Sequence, residues 1–159
     1  MARAKTQTIN VVLVVVRRGD RFLLVQEAHE RSPGLWYVPA GGVEAGETIA
    51  EAAHREVMEE AGATVRLTGL LRVEQSLWTA DNGTPSARWR FVFTAEPTAD
   101  SGLKTEPDAE SLGAAWFTRE QVAGLPLRSD EVLDLLDASL TDPVLPTSAL
   151  KLGRWERRF

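Results

Sequence analysis

The chain predicts one α/β domain built on a mixed sheet. Strand-like and helix-like segments are interspersed without a regular alternation, which excludes all-α and all-β classes. A Val-rich run at residues 9–16 has no polar face and reads as a strand buried on both sides. The length of 159 residues fits one core of ordinary size, with residues 1–8 and 141–159 expected to lie at its periphery.

The elements follow in order. Gly19-Asp20 turns the buried strand into a second, Phe22-Leu23-Leu24-Val25, so residues 9–26 predict a hairpin. A loop with Pro33-Gly34 leads to a short apolar piece at 35–38. Thr48 with Glu51 three residues on has the form of a capping box and opens a helix that Gly62 stops. Strands are expected near 65–78 and 87–95, joined across Asp81-Asn82-Gly83. Residues 96–111 form a long polar loop, a length that in compact domains often carries function. A strand at 114–117 precedes a brief helix capped by Thr118 and Gln121. Ser129 opens the last helix, with Val132, Leu133, Leu136 and Leu140 as its apolar stripe.

Composition excludes several classes of function. Cysteine is absent, which removes disulfide scaffolds, thiolate zinc sites and thiol nucleophiles and suits a reducing cytosol. The net charge of −5 argues against broad attraction to polymeric nucleic acid or anionic membrane. The run at 9–16 is too short to span a bilayer, and Arg17-Arg18 follow it without a cleavage signal, so a cytoplasmic location is expected. An acidic protein that takes an anionic ligand needs local help, such as a divalent cation.

Residues 41–63 carry the chemistry. At 3.6 residues per turn Glu56, Glu59 and Glu60 share one helix face, while Ala50, Val57 and Ala61 form a neighbouring stripe that can pack on the sheet. Three carboxylates at that spacing repel one another, and a hard cation such as Mg²⁺, which takes oxygen ligands, removes the penalty. Arg55 can pair with one carboxylate and orient it. Gly41 and Gly42 permit sharp turns before a helix N-terminus with free N–H groups. The bland alternative is a solvated acidic face, and for the three glutamates alone it is as good a reading.

The complete pattern separates the two. Gly41, Glu47, Arg55-Glu56, Val57, Glu59-Glu60, Gly62 and Ala63 resemble the signature of the Nudix hydrolases, GX5EX7REUXEEXGU with U aliphatic. Seven fixed identities arise by chance with a probability on the order of 10⁻⁹ per start site. Ala63 is smaller than the usual aliphatic residue. The lead-in from Trp36 to Gly42 and the later Glu110…Trp116-Phe117 are similar to the family as well. The resemblance covers roughly residues 9–140 and implies an α/β/α sandwich with a curved mixed sheet.

It implies, further, metal-dependent hydrolysis of a pyrophosphate linkage in a nucleoside di- or triphosphate. Glu56, Glu59 and Glu60 would hold Mg²⁺ or Mn²⁺, with Arg55 and Glu47 in support. The general base varies in the family. Glu110 is the loop candidate here, with Asp108 and Glu106 as competitors. Gly41, Gly42, Trp36 and Arg90 are candidates for substrate contact; Trp36, Trp78 and Trp89 could stack on a base, and Arg88 shares a strand face with Arg90. Core packing is the ordinary fate of Trp116, and His29 and His54 show no partner pattern. The basic tail 151–159 could dock on the core or on a second subunit, since homodimers occur in the family.

Segments 25–28, 34–37, 109–116 and 126–128 resemble one branch, which acts on oxidised guanine nucleoside diphosphates. The expected role is nucleotide sanitation. ADP-ribose or nucleotide-sugar hydrolysis, or a non-catalytic nucleotide-binding module, are the competing expectations.

Overall fold

Val12, Val14 and Val16 point to one face of the sheet and Leu13 and Val15 to the other, and all five are buried. They form the centre of β1 (Gln7–Arg18), which explains why that stretch carries no polar alternation. The computed structural model describes residues 6–98 and 102–153. On one side of β1, its valines pack with Leu23, Val25 and Phe93 under helix α1 (Ile49–Ala61). On the other side, Leu13 and Val15 pack with Phe22, Leu24 and Val38 under helix α3 (Glu131–Thr141). A sheet covered on both faces is the expected α/β/α sandwich.

The hairpin of β1 and β2 (Arg21–Glu27) stays paired only beside its turn, at Arg17 opposite Phe22 and Arg18 opposite Arg21. Beyond that point the strands part. β1 runs parallel to β6 (Pro85–Pro97), from Gln7 opposite Ser86 to Val16 opposite Ala95. Its other edge takes the short β4 (Ala40–Gly42), with Val11 opposite Gly42 and Leu13 opposite Ala40. β2 instead pairs with β3 (Trp36–Tyr37) and β7 (Ser111–Thr118). The splayed hairpin is thus wedged open by residues 39–42, and Val14 N–H donates to Pro39 C=O at 2.9 Å. β5 (Val65–Thr79) closes the far edge as a long hairpin with β6 around Asn82-Gly83. β1–β6 is the parallel pair in an otherwise antiparallel sheet, which makes it mixed.

Helix α1 begins and ends where its local chemistry dictates. Glu51 N–H donates to Thr48 Oγ1 at 3.2 Å and Thr48 N–H donates to Glu51 Oε2 at 2.7 Å, a complete capping box. Gly62 ends the helix at φ +69°, where a Cβ would be strained. The buried stripe is Ala52, Ala53, Val57 and Ala61. Ala50 belongs instead to a partly covered edge of the helix, a correction of the expected stripe by less than one turn.

A second capping box, Thr118 with Gln121, opens α2 (Arg119–Val122) as expected. In α3 the first helical residue is Glu131, whose N–H donates to Ser129 Oγ at 3.3 Å. Val132, Leu135, Leu136 and Ala138 are its buried residues, while Leu140 is 50% exposed. The buried face includes Val132 and Leu136 of the expected stripe, with Leu133 partly buried at its edge; Leu140 falls outside it because the face runs through Leu135 and Ala138 instead. The segment after α3 returns to the fold: Leu70 and Leu145 exchange backbone hydrogen bonds at 2.8 and 3.0 Å, and Leu150 packs on the α1-side core. Residues 142–149 are nonetheless exposed, and Arg154, Trp155, Arg157 and Arg158 of the basic tail lie outside the described residues.

Thr48→Ala removes one half of the α1 capping box and is expected to cost about 1 kcal/mol. Urea unfolding monitored by circular dichroism should show a lower midpoint with an unchanged slope; an unchanged midpoint would mean the cap contributes nothing.

Candidate active site

The acidic face of α1 is organised by one cation. Arg55 donates from Nη2 to Glu47 Oε1 at 2.7 Å and from Nε to Glu47 Oε2 at 3.1 Å, a two-pronged pairing that matches the planar guanidinium to a carboxylate. The same guanidinium reaches Glu56 Oε1 at 2.8 Å, Glu59 Oε2 at 3.0 Å and Gly42 C=O at 2.8 Å. One paired carboxylate was expected, and three are found. These contacts hold the Glu47 carboxyl below its ordinary range, through Arg55 first, and raise the Arg55 guanidinium above its own.

Gly41 sets the distance between β4 and α1. A Cβ at this position would lie 2.0 Å from Glu56 Oε1, so the strand approaches the buried glutamate as closely as it does only because residue 41 has no side chain. Next to it, Ala40 N–H donates to Glu60 Oε2 at 2.9 Å. Burial pushes the Glu60 carboxyl up to about 9; the Ala40 N–H opposes this, and the charges of Glu56, Glu27 and Glu110 add to it. Burial also raises Glu56, against the pull of Arg55.

This donor set suits a hard divalent cation. Glu56 Oε2, Glu59 Oε1 and Glu60 Oε1 accept no hydrogen bond among the described residues, so each glutamate uses one oxygen to fix its position and keeps one uncommitted. Glu56, Glu27 and Glu110 crowd Glu60 with negative charge, which a divalent ion would offset. Among the described residues no three acidic or His side chains already stand in a ready metal-binding cluster.

The described part of the 98–110 loop rides on the C-terminal end of α1, where helix carbonyls lack intrahelical partners. Lys104 N–H donates to Ala61 C=O at 2.8 Å, the Lys104 ammonium donates to Glu59 C=O, and Ser111 Oγ donates to Glu60 C=O at 2.5 Å. Asp108 is consumed in holding the loop: its carboxylate accepts from Lys104 Nζ at 2.6 Å and from the N–H groups of Glu110 and Ser111, and it is held at about 2, chiefly by Lys104. Glu110 faces a cavity of about 560 Å³ together with Glu27, His29, Ser32, Glu60 and Arg128. Neither Asp108 nor Glu106 is among the residues lining that cavity.

A second cavity, of about 340 Å³, lies across Ala40 and is lined by Tyr37, Gly41, Gly42, Arg88, Arg90 and Arg128. Arg90 is gripped by Glu131 Oε2 at 2.8 Å from its Nη2, while Glu74 Oε2 lies 3.1 Å from its Nε. The Glu74 oxygen is off the N–H direction, so the pair is ionic and the buried Arg90 Nε–H has no hydrogen-bond partner among the described residues. Tyr37 Oη donates to Glu131 Oε1; burial, then this carboxylate, raises the Tyr37 phenol above its ordinary range. Burial alone would raise Glu131, but the hydrogen bonds from Tyr37 and Arg90 prevail and hold it low.

The Nudix domain family model matches residues 6–136, which include both cavities and all of α1. The chain belongs to the Nudix family. It is 46% identical over 130 residues to the human 8-oxo-dGDP phosphatase NUDT18, an alignment spanning 80% of this chain and 37% of that protein. It is 37% identical over 139 residues to the putative nudix hydrolase 1 of Caenorhabditis elegans, covering 84% and 35%. The chain thus spans little more than a third of the length of these curated relatives. A Nudix hydrolase from Nitrosomonas europaea superposes with a TM-score of 0.74 at 27% identity, over 92% of this chain and 98% of that one. A MutT protein from Bacillus halodurans gives 0.63 at 27% identity, over 86% and 85%.

Of the residues singled out from sequence, the Nudix fold brings Glu47, Arg55, Glu56, Glu59 and Glu60 into one contiguous set, with Glu110 beside Glu60 across the larger cavity. Gly41, Gly42 and Arg90 line the smaller one. Trp36 is not brought to either cavity: its ring packs edge-on against Phe117 at 4.9 Å, so its apolar surface is spent on the fold. Trp78 lies under Arg88, and Trp116 under Arg18 at 4.4 Å, at the border of the core rather than inside it. Glu27, Tyr37, Arg128 and Glu131 were missed as site residues. Tyr37 and Glu131 are 94 residues apart and Glu27 and Arg128 are 101 apart, so no local spacing could have joined them.

With chelator present, the folded protein holds the Glu60 proton up to about pH 9, whereas the unfolded chain releases it near 4.5. Between those values the native state binds more protons than the unfolded state, so this group makes stability fall as pH rises. Urea midpoints of EDTA-treated protein should decline across that window, and Glu60→Gln should flatten the decline. An identical slope in the variant contradicts the assignment.

Proposed function

We propose that this chain is a metal-dependent hydrolase of a pyrophosphate linkage in purine nucleoside di- or triphosphates, with oxidised guanine nucleotides as its preferred class. The observation that carries the reading is a pair of cavities that share Ala40 and Arg128: one is lined by Glu27, Glu60 and Glu110, the other by Arg88, Arg90 and the Gly41-Gly42 backbone. A nucleotide has the matching polarity, with a phosphate chain at one end and a flat heterocycle at the other. The 46% identity to the human 8-oxo-dGDP phosphatase supports the base class.

Family membership implies a divalent metal, and Glu56, Glu59 and Glu60 would hold it as Mg²⁺ or Mn²⁺. When bound, the ion supplies charge neutralisation for the phosphates and lowers the pKa of water. Arg55 keeps the carboxylates oriented throughout. Its own charge stays fixed because it is shared among three of them. Glu110 is placed to take the proton of the attacking water: its side chain borders Glu60 and, unlike Asp108, is not consumed in holding the loop. On the far side of Ala40, Arg90 lines the second cavity, with its Nε–H buried against Glu74 at 3.1 Å. Glu131, itself bonded by Tyr37, holds the Arg90 guanidinium in that position.

The test is a nucleotide panel assayed with Mg²⁺ and Mn²⁺, scoring inorganic phosphate against pyrophosphate release. Turnover of 8-oxo-dGDP above dGDP, ADP-ribose and UDP-glucose is expected. Preferred turnover of ADP-ribose or a nucleotide sugar, or no turnover of any member, contradicts the proposal. Glu60→Gln should reduce kcat by at least about 100-fold while leaving the far-ultraviolet circular dichroism spectrum unchanged. Wild-type turnover in that variant would remove the metal assignment.

A further inference from the structure

Ala40 and Arg128 are the two residues that line both cavities, and Arg128 is the charged one. Its Nη1 donates to Glu27 Oε1 at 2.8 Å, and its guanidinium carbon stands 4.8 Å from the centre of the Tyr37 ring. Glu27 is 9% exposed, at the end of β2 where the ladder with β7 slips its register. The carboxylate that holds Arg128 is therefore fixed by the sheet, and the aromatic face limits the swing of the guanidinium.

The remaining donors have no such use. An arginine carries five N–H groups, and in Arg128 neither Nε nor Nη2 donates to a protein acceptor among the described residues. The side chain is 46% exposed. An oriented planar cation with open donors suits a phosphate group, which accepts two parallel N–H bonds. Glu27, Glu60 and Glu110 line the same cavity, with Arg31 as its other arginine. An anionic ligand there meets repulsion from the carboxylates, which cations in the lining offset; of the two arginines, Arg128 is the one that also lines the second cavity.

We propose that Arg128 is a substrate-binding residue that grips the phosphate chain of a nucleoside diphosphate where it crosses from the acidic cavity to the arginine-lined one, with Glu27 as the protein carboxylate that stores its guanidinium between turnovers. This rests on the nucleotide reading above and adds the residue that joins its two ends. Phosphate oxygens exchange for Glu27 as partners of the same fork. Arg128 is neither a metal ligand nor a proton carrier; it acts on affinity.

The two members of the pair separate this proposal from a purely structural strut. Binding is measured by isothermal titration of the α,β-methylene analogue of dGDP, in Mg²⁺, into wild-type protein, Arg128→Ala, Arg128→Lys and Glu27→Gln. Arg128→Ala should weaken binding by about tenfold or more, and Arg128→Lys, which keeps the charge without the fork, by less. Glu27→Gln frees the guanidinium and should bind as tightly as wild type or more tightly. A Kd for Arg128→Ala within about twofold of wild type overturns the proposal. So does a loss in Glu27→Gln equal to that in Arg128→Ala, since a strut fails the same way from either end. If Arg128→Ala does not fold by thermal melting, the contrast between Arg128→Lys and Glu27→Gln decides by the same criteria. A wild-type protein that binds no nucleoside diphosphate overturns the nucleotide reading and this one with it, whereas wild-type binding with an indifferent Arg128 overturns only this one.

Discussion

One guanidinium holds the chemistry of this domain together. Arg55 spans Glu47 in the loop before α1, Glu56 and Glu59 on the helix, and the Gly42 carbonyl on β4. Without it, the acidic face of α1 would be a set of mutually repelling charges next to a buried surface. With it, Glu56 and Glu59 each give one oxygen to Arg55 and keep the other uncommitted. The 22% exposure of the Arg55 side chain places this pairing between the surface regime, where ion pairs contribute little, and the interior, where desolvation dominates. Its value is orientation more than stability.

The sheet makes that arrangement possible. Because β1 and β2 part after two residue pairs, β4 can insert beside β1 and present Ala40, Gly41 and Gly42 to the helix. The Ala40 N–H fixes Glu60, and the bare Gly41 backbone admits Glu56. Ala40 of the same strand lines both the acidic cavity and the arginine-lined one, so a single short element shapes the carboxylate geometry and both cavities. The described part of loop 98–110 borders the larger cavity through Glu110, while Lys104 and Asp108 tie it to the end of α1.

What could be read from sequence alone divides by range of interaction. Both capping boxes, the Gly62 stop, the Val-rich buried strand and the hairpin at Asn82-Gly83 rest on neighbours a few residues apart, and all are present. The box glutamates were legible for the same reason, since helical spacing places them. Leu140 and Ala50 were misplaced because periodicity alone does not fix which edge of an apolar stripe the sheet covers. Trp36 was misjudged because composition cannot tell a ring that stacks on a ligand from one that packs on Phe117. The Tyr37–Glu131–Arg90 chain and the Glu27–Arg128 pair join distant segments through the fold, and only the structure brings them together.

The central claim is that Arg55 sets the geometry of the carboxylates proposed to hold the metal. It is tested most directly by calorimetric titration of Mn²⁺, without nucleotide, into wild-type protein and Arg55→Lys. Lysine keeps the positive charge but cannot bridge Glu47, Glu56, Glu59 and Gly42 at once. The account predicts Mn²⁺ affinity lower by about tenfold to 100-fold in the variant, with its thermal unfolding still cooperative. Equal affinity in the two proteins would contradict it.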